Sequence, residues 1–415
     1  MTTQTAEAGP AAVTRLWNRD FASLATGNLI SRLGTVIFDV VLAWWLVQAT
    51  GSAVYLGYIL AASYLPIAVL GPFAGVLVDR WNKKWIMVWA DVVSGLAATA
   101  VAIMAAHRYV NLPLLMVCCF VIGSCTAIFK PAIRAIVPVL VGKSWLVKAN
   151  SVTNNFSEAT KVVGPMVAGA LIASSIAGIP GALAVNAASF FVSALLQLLI
   201  RHVHVISPGP VDVLRRLREG LAYIWAQPLV RRLVLLAGAV NIFLVSFNVI
   251  LPLYVTRVLH GSSGVYSAVL GAEAVGGVAI TLVFLLRKEV TPRPTLLAWF
   301  ILAGGVSLGA IPLVPTVAGL VSMAFAQGFF IAAFNTLLFS YIQQVVAEDF
   351  LGRVFSIVYM IAIAVMPVSY IGFGYLSEHT VRWTFLFAGL GTVLCCIPLL
   401  VGRTQVSGDV PASAE

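Results

Sequence analysis

The chain has 415 residues, of which 60% are hydrophobic and only 10% charged, a composition far from that of a soluble globular protein. It leaves no room for a sizeable soluble enzyme domain. The net charge of +10 is dispersed in short basic clusters between apolar runs, which excludes a nucleic-acid-binding face.

A bilayer core about 30 Å thick takes roughly 20 apolar residues per helical span, so the length accommodates about twelve spans with short loops. Residues 1–20 are a polar, Ala/Thr-rich tail without the short apolar core of a removable leader. Apolar runs of spanning length follow at 21–47, 55–78, 85–106, 112–137, 152–173 and 182–200, which make an N-terminal six-helix half over 21–200. Residues 201–232 are an Arg-rich linker. Within it Leu214, Leu217, Leu221 and Ile224 recur at helical spacing among Arg215, Arg216 and Arg218, which predicts an amphipathic helix along the membrane surface. Further runs at 233–255, 266–286, 296–314, 317–342, 354–376 and 383–401 make a C-terminal half over 233–402, and 403–415 form a second tail. The predicted fold class is an all-α membrane protein of twelve transmembrane helices in two six-helix halves.

With the N-terminus in the cytoplasm, about eighteen Lys and Arg residues fall on the inner side, against Arg108, Arg257 and Arg382 outside. Both termini are then expected to be cytoplasmic. The five cysteines all lie inside apolar runs, with Cys118 next to Cys119 and Cys395 next to Cys396, so no disulfide framework or metal-ligand spacing follows. No phosphate-binding Gly-rich loop and no His/Glu zinc pattern is present, so no metal, cofactor or ATP-driven step is expected.

The most specific local signal joins the second and third spans: Gly75, Asp79, Arg80, Lys83 and Lys84, with Asn82 between them. Gly75 suits a close helix approach, Asp79 can accept hydrogen bonds from a facing helix N-terminus, and the basic cluster anchors the turn, together a latch for one conformation. Asp91 in the third span reads as a structural partner of that turn. The pattern resembles the loop signature of the major facilitator superfamily, with Asn82 where a glycine is usual, a residue that also tolerates a left-handed backbone. Phe129-Lys130-Pro131-Ala132, the Gly164-Pro165 element closed by Gly169, and Gly352-Arg353-Val354 followed by Pro367 narrow the resemblance to the enterobactin-exporter, macrolide-efflux and actinobacterial multidrug-efflux branch. The resemblance implies the major facilitator fold, transport without enzymatic activity, and a hinge and leak seal at Gly164, Pro165 and Gly169. Independently, a proline inside a span removes a backbone bond and kinks the helix.

An ionisable group at the bilayer centre costs at least about 2.5–3.5 kcal/mol, so those inside spans point to mechanism. Asn28, Arg32, Thr35 and Asp39 share one face of the first span, Glu158 and Lys161 sit in the fifth, and Glu273 stands alone in the eighth. Asp39, Glu158 and Glu273 are the candidates for taking up and releasing a proton. The alternative is that Asp39 with Arg32, and Glu158 with Lys161, are internal pairs that offset each other's desolvation. Lys130 and Arg134 either pair with Glu158 or bind an anionic substrate group. Asn28, Phe38, Asn241, Asn248, Asn335 and Tyr370 are candidates for a mostly apolar substrate cavity.

The expected function is secondary export of amphipathic small molecules of the drug, macrolide or siderophore type, by proton antiport and alternating access in a bacterial cytoplasmic membrane. The expected partners are membrane lipids, substrate and a proton, for a monomer. A lipid or metabolite transporter of the same fold and a non-transporting membrane scaffold are the alternatives.

Overall fold

The computed structural model describes residues 16–201, 213–397 and 399, so most of both predicted tails and residues 202–212 of the linker lie outside the described residues. The described chain is helical, with no strand among the described residues. In order come α1 (Arg19–Thr50), α2 (Ala53–Arg80), α3 (Lys83–Ala106), α4 (Leu112–Val141), α5 (Leu146–Ala173) and α6 (Gly178–Leu198). After the linker helix α7 (Val213–Ala226) come α8 (Pro228–Leu244), α9 (Ser246–Arg257), α10 (Ser263–Leu286) and α11 (Pro294–Ala310). The last three are α12 (Val317–Val345), α13 (Glu348–Ala364) and α14 (Met366–Leu394).

Ten helical stretches among the described residues are long and apolar enough to cross a membrane. The stretch Glu348–Leu394 is 47 residues long, about 70 Å at the α-helical rise and enough for two crossings. It bends at Val365 and has a non-helical backbone at Thr380, where φ is −142°. Helix α5, with 28 residues, is absent from the ten, and its polar face carries Asn154, Asn155, Glu158 and Lys161. Dividing the long stretch at Thr380 and adding α5 relates these ten to the twelve spans expected.

Side-chain caps explain where several helices start. Asn18 accepts from the Phe21 N–H at 2.9 Å, Asn111 from Leu114 at 3.1 Å, and Thr316 from Gly319 at 3.0 Å. Gly51, at φ +67°, ends α1 in the left-handed conformation open to glycine. Asn82 takes no such conformation. At φ −66° it is extended and caps α3, accepting from the Lys84 N–H at 3.0 Å, so it replaces the motif glycine as a cap.

The two sets of helices repeat one packing pattern. α2 lies on α4 and α3 on α6, as α10 lies on α12 and α11 on α14. Glycine makes the matching contacts close: a Cβ on Gly123 would strike the Ser63 backbone, and one on Gly328 would strike the Glu273 backbone. The sets meet along two seams, α2 with α14 and α5 with α10. Each seam has a helix interrupted by proline, Pro165 within α5 and Pro367 in the first turn of α14 after the bend at Val365.

The seams are tight at one end only. There Ser52 Oγ donates to Glu378 Oε2 at 2.6 Å, and Arg257 Nη2 donates to the Gly51 carbonyl. A Cβ on Gly57 would meet the Tyr370 carbonyl carbon at 3.1 Å, and one on Gly374 the Ala53 carbonyl oxygen at 2.8 Å. At the other end a Cβ on Gly71, Gly75 or Gly352 would meet nothing within 4 Å. The close approach expected at Gly75 is therefore absent in this conformation.

Helix α7 docks at that open end. The Tyr223 ring stacks on Phe350 with centroids 4.3 Å apart, and its hydroxyl accepts from the Ala347 N–H at 3.2 Å. Glu219 bridges Arg215 at 2.9 Å and Arg353 at 3.5 Å. Gly220 and Ile224 turn inward, whereas Leu214, Leu221 and Trp225 are exposed, so the predicted apolar stripe is split between protein and surroundings.

Candidate functional site

Between the two helix sets lies a cavity of about 840 Å³. Seven helices line it: Asp39, Val40 and Ala43 from α1, Leu60, Ser63 and Tyr64 from α2, and Asn155, Glu158, Lys161 and Pro165 from α5. The other wall is Asn248 from α9, Tyr266, Leu270 and Glu273 from α10, Ile331 and Asn335 from α12, and Tyr370 from α14. All three carboxylates expected to carry a proton thus open onto one space. So do Asn248, Asn335 and Tyr370 of the proposed substrate residues.

Their surroundings differ. Glu158 Oε1 accepts from Lys161 Nζ at 2.7 Å, one helical turn on, and both side chains are 62% exposed. Asp39 and Glu273 make no hydrogen bond and no ion pair among the described residues. Asp39 is exposed to the cavity although it lies eleven residues from the end of α1 at Thr50, about 17 Å along the helix. Glu273 is half-buried in the middle of α10. The expected Asp39–Arg32 pair does not form. Seven residues separate them, about 10 Å of helix, and Arg32 Nε instead donates to Asn28 Oδ1 at 3.2 Å.

Other expected residues lie elsewhere. Phe38 is buried in the apolar core rather than in the cavity wall. Asn28 is buried and engaged by Arg32, and the Asn241 amide donates to its own helix, to the Ala237 carbonyl at 2.9 Å. Asp91 does not reach the Asp79–Arg80 turn. It is buried between α3 and α6, where Gln197 Nε2 donates to its Oδ2 at 2.6 Å while also donating to Ser193 Oγ at 3.0 Å. Asp79 accepts no hydrogen bond among the described residues. Lys84, by contrast, donates to the Leu198 and Ile200 carbonyls at 2.8 and 2.6 Å and ties the turn to the end of α6.

The Gly164 and Gly169 positions are crowded. A Cβ on Gly164 would strike Val36 on α1, and one on Gly169 would lie 2.6 Å from Ser267 Oγ on α10. Two aromatic pairs join the helix sets beside the cavity, and in each of them one ring, Tyr266 or Tyr64, was not among the expected residues. Trp44 stacks on Tyr266 at 5.5 Å, and Tyr64 meets Tyr370 at 5.4 Å. A hydroxyl-bearing ring inside an otherwise aliphatic span is the signal that could have singled out Tyr64 and Tyr266.

This geometry, a largely apolar cavity carrying a few charged and amide side chains between two pseudo-repeated helix sets, agrees with comparisons to known proteins. A family profile described as transmembrane secretion effector matches residues 11–409. The chain belongs to that family. Among its relatives, macrolide efflux protein A of Streptococcus pyogenes is 25% identical over 395 residues, 92% of this chain and 95% of the relative. The multidrug efflux pump Tap of Mycolicibacterium fortuitum is 26% identical over 390 residues, 90% of this chain and 92% of the relative. A crystal structure of the nucleoside transporter NupG, in a mutant form, superposes with a TM-score of 0.77 at 12% identity, covering 92% of this chain and 99% of that one. The transmembrane secretion effector family is one of multi-pass membrane transporters of the major facilitator type, and the fold expected from the loop signature is the fold observed.

Proposed function

We propose that this member of the family is a secondary active exporter of amphipathic small molecules that exchanges a proton for its substrate. It works by alternating access, with residues 21–200 and 233–402 as the two moving halves. One observation carries the proposal: Asp39 and Glu273, from opposite halves, open onto a single cavity with no ion pair among the described residues to satisfy them. An unpaired carboxylate at this depth is costly as an anion and inexpensive as an acid, so a proton follows the cavity from one side of the membrane to the other. Glu158 is held by Lys161 and serves as a lesser partner. We place the Asp79 end in the cytoplasm on the distribution of Lys and Arg, which makes this conformation open inward in a bacterial cytoplasmic membrane.

The test is transport of a fluorescent amphipathic dye by purified protein in liposomes carrying an imposed proton gradient. Asp39→Asn and Glu273→Gln are expected to lower gradient-driven transport by at least about tenfold while leaving dye exchange without a gradient intact. Glu158→Gln should cost about threefold or less. Unaltered gradient-driven transport in both the Asp39 and Glu273 variants would remove the basis for proton coupling.

A further inference from the structure

Three cations in the same helix set are left over once proton coupling has been assigned. Arg32 on α1 is half-buried, and Lys130 and Arg134 on α4 are exposed, yet all three lie within membrane-spanning helices. None makes an ion pair among the described residues, and Arg32 has only the Asn28 amide oxygen. Lys130 is within electrostatic reach of Arg32, Arg134, Lys161 and Asp39, and Arg32 is within reach of Arg134 and Glu158. The carboxylates available to balance them are Asp39 and Glu158 on their own helix set and Glu273 on the facing one. Lys161 already occupies Glu158 at 2.7 Å. Asp39 is left as the balancing carboxylate on that helix set, and of the three cations it is within reach of Lys130.

Simple structural roles do not account for this surplus. A residue kept to offset a buried charge is paired, and these are not. Nor can depth be explained by a side chain reaching back to the headgroups. Lys130 is eleven residues before the end of α4 at Val141, about 17 Å of helix and beyond the reach of a lysine side chain, and Arg134 is seven residues before it, about 10 Å. Like charges held together without a counterion are destabilising, so the arrangement calls for an anion that comes and goes.

We propose that Arg32, Lys130 and Arg134 form a receiving site for an anionic group, a carboxylate or another oxyanion, on the exported molecule. This deepens the exporter reading and rests on it. The two guanidinium groups supply planar, forked donors suited to an oxyanion, and Lys130 supplies a compact charge between them and Asp39. The three cations stand beside the cavity rather than in its lining, and Lys130 adjoins it through Asp39 and Lys161, which do line it. The apolar body of the substrate packs against Tyr64, Tyr266, Leu270 and Ile331. Ionised Asp39 and the substrate anion then compete for Lys130, so loss of the proton and retention of the cargo oppose each other at a single side chain.

The experiment uses two xanthene dyes of similar size and opposite charge, carboxyfluorescein and rhodamine 123. Binding is read by anisotropy in detergent and transport in energised liposomes. The unaltered protein is expected to bind and move the anionic dye. The double variant Lys130→Gln with Arg134→Gln should weaken anionic-dye binding by about tenfold or more, with any binding of the cationic dye retained or strengthened. Lys130→Gln alone is read alongside, so that misfolding of the double variant does not remove the test, and Lys130→Arg should preserve the anionic preference. Transport of only the cationic dye by the unaltered protein, or anionic binding unchanged in the neutral variants, overturns the anion site and leaves the exporter reading standing. Movement of neither dye overturns both.

Discussion

A single methyl group at Gly57 should open the closed end of the protein. In this conformation a Cβ at that position would press on the Tyr370 carbonyl, with its carbon at 3.1 Å and Ile371 Cα at 3.4 Å, and backbone cannot rotate away as a side chain would. Overpacking of this kind costs about 1–3 kcal/mol. The general gain of about 0.5–1 kcal/mol from replacing a helical glycine by alanine applies in every conformation and cancels between them. The net effect is a shift of about 5–150-fold toward states in which α2 and α14 part. The reporter is Ala53→Cys in a protein whose five native cysteines have been replaced, because Ala53 is fully buried at the closed end and its backbone faces Gly374. Its labelling rate by a membrane-impermeant maleimide should rise with the open population. Gly75→Ala, on the same helix but with nothing within 4 Å of the new methyl in this conformation, should not raise the rate. Equal labelling in the Gly57→Ala protein and its parent, or an equal rise in both glycine variants, would refute the reasoning.

Three further outcomes follow from contacts away from the cavity mouth. Gly328→Ala drives a methyl into the Glu273 backbone, so the packing of α12 on α10 should lose about 1–3 kcal/mol, seen as a lower thermal midpoint of the purified protein. Gln197→Leu removes the 2.6 Å donor to Asp91 and should cost about 1–3 kcal/mol; adding Asp91→Leu should restore part of that loss, whereas an additive further drop would show that the bond is not what holds α3 to α6. Glu219→Ala breaks the bridges to Arg215 and Arg353, which are partly exposed, so stability should fall by no more than about 1 kcal/mol, checked by the same thermal scan.

What could be read in one dimension was hydropathy and its interruptions. The spans are long apolar runs, and a carboxylate inside such a run is visible at once, which is why Asp39, Glu158 and Glu273 could be named before any geometry. Partnership was harder to read. Arg32 and Asp39 share a helical face, but shared face does not imply shared height, and two turns of rise keep them apart. Asp91 follows the loop motif closely in sequence, yet it points to α6, a neighbour 106 residues later. The closed end depends on Ser52 meeting Glu378 across 326 residues, a contact that no local pattern encodes. Phe38 and Tyr64 illustrate the remaining difficulty: an aromatic residue in a span looks the same on paper whether it fills the core, faces lipid or lines the cavity.

The interruption at Pro165 divides labour along α5. Asn155, Glu158 and Lys161 before the proline build the chamber wall, and Gly169 after it packs on Ser267 of α10; in α14, Tyr370 of the wall and Gly374 and Glu378 of the gate all follow Pro367. Leu270 on α10 and Ile331 and Asn335 on α12 also line the chamber and belong to other helices than Ser52, Gly57 and Glu378, so substitutions there can reshape what is carried without touching the closed end. A transporter built this way can acquire new cargo through a few changes in the chamber wall while the contacts of the closed end stay as they are.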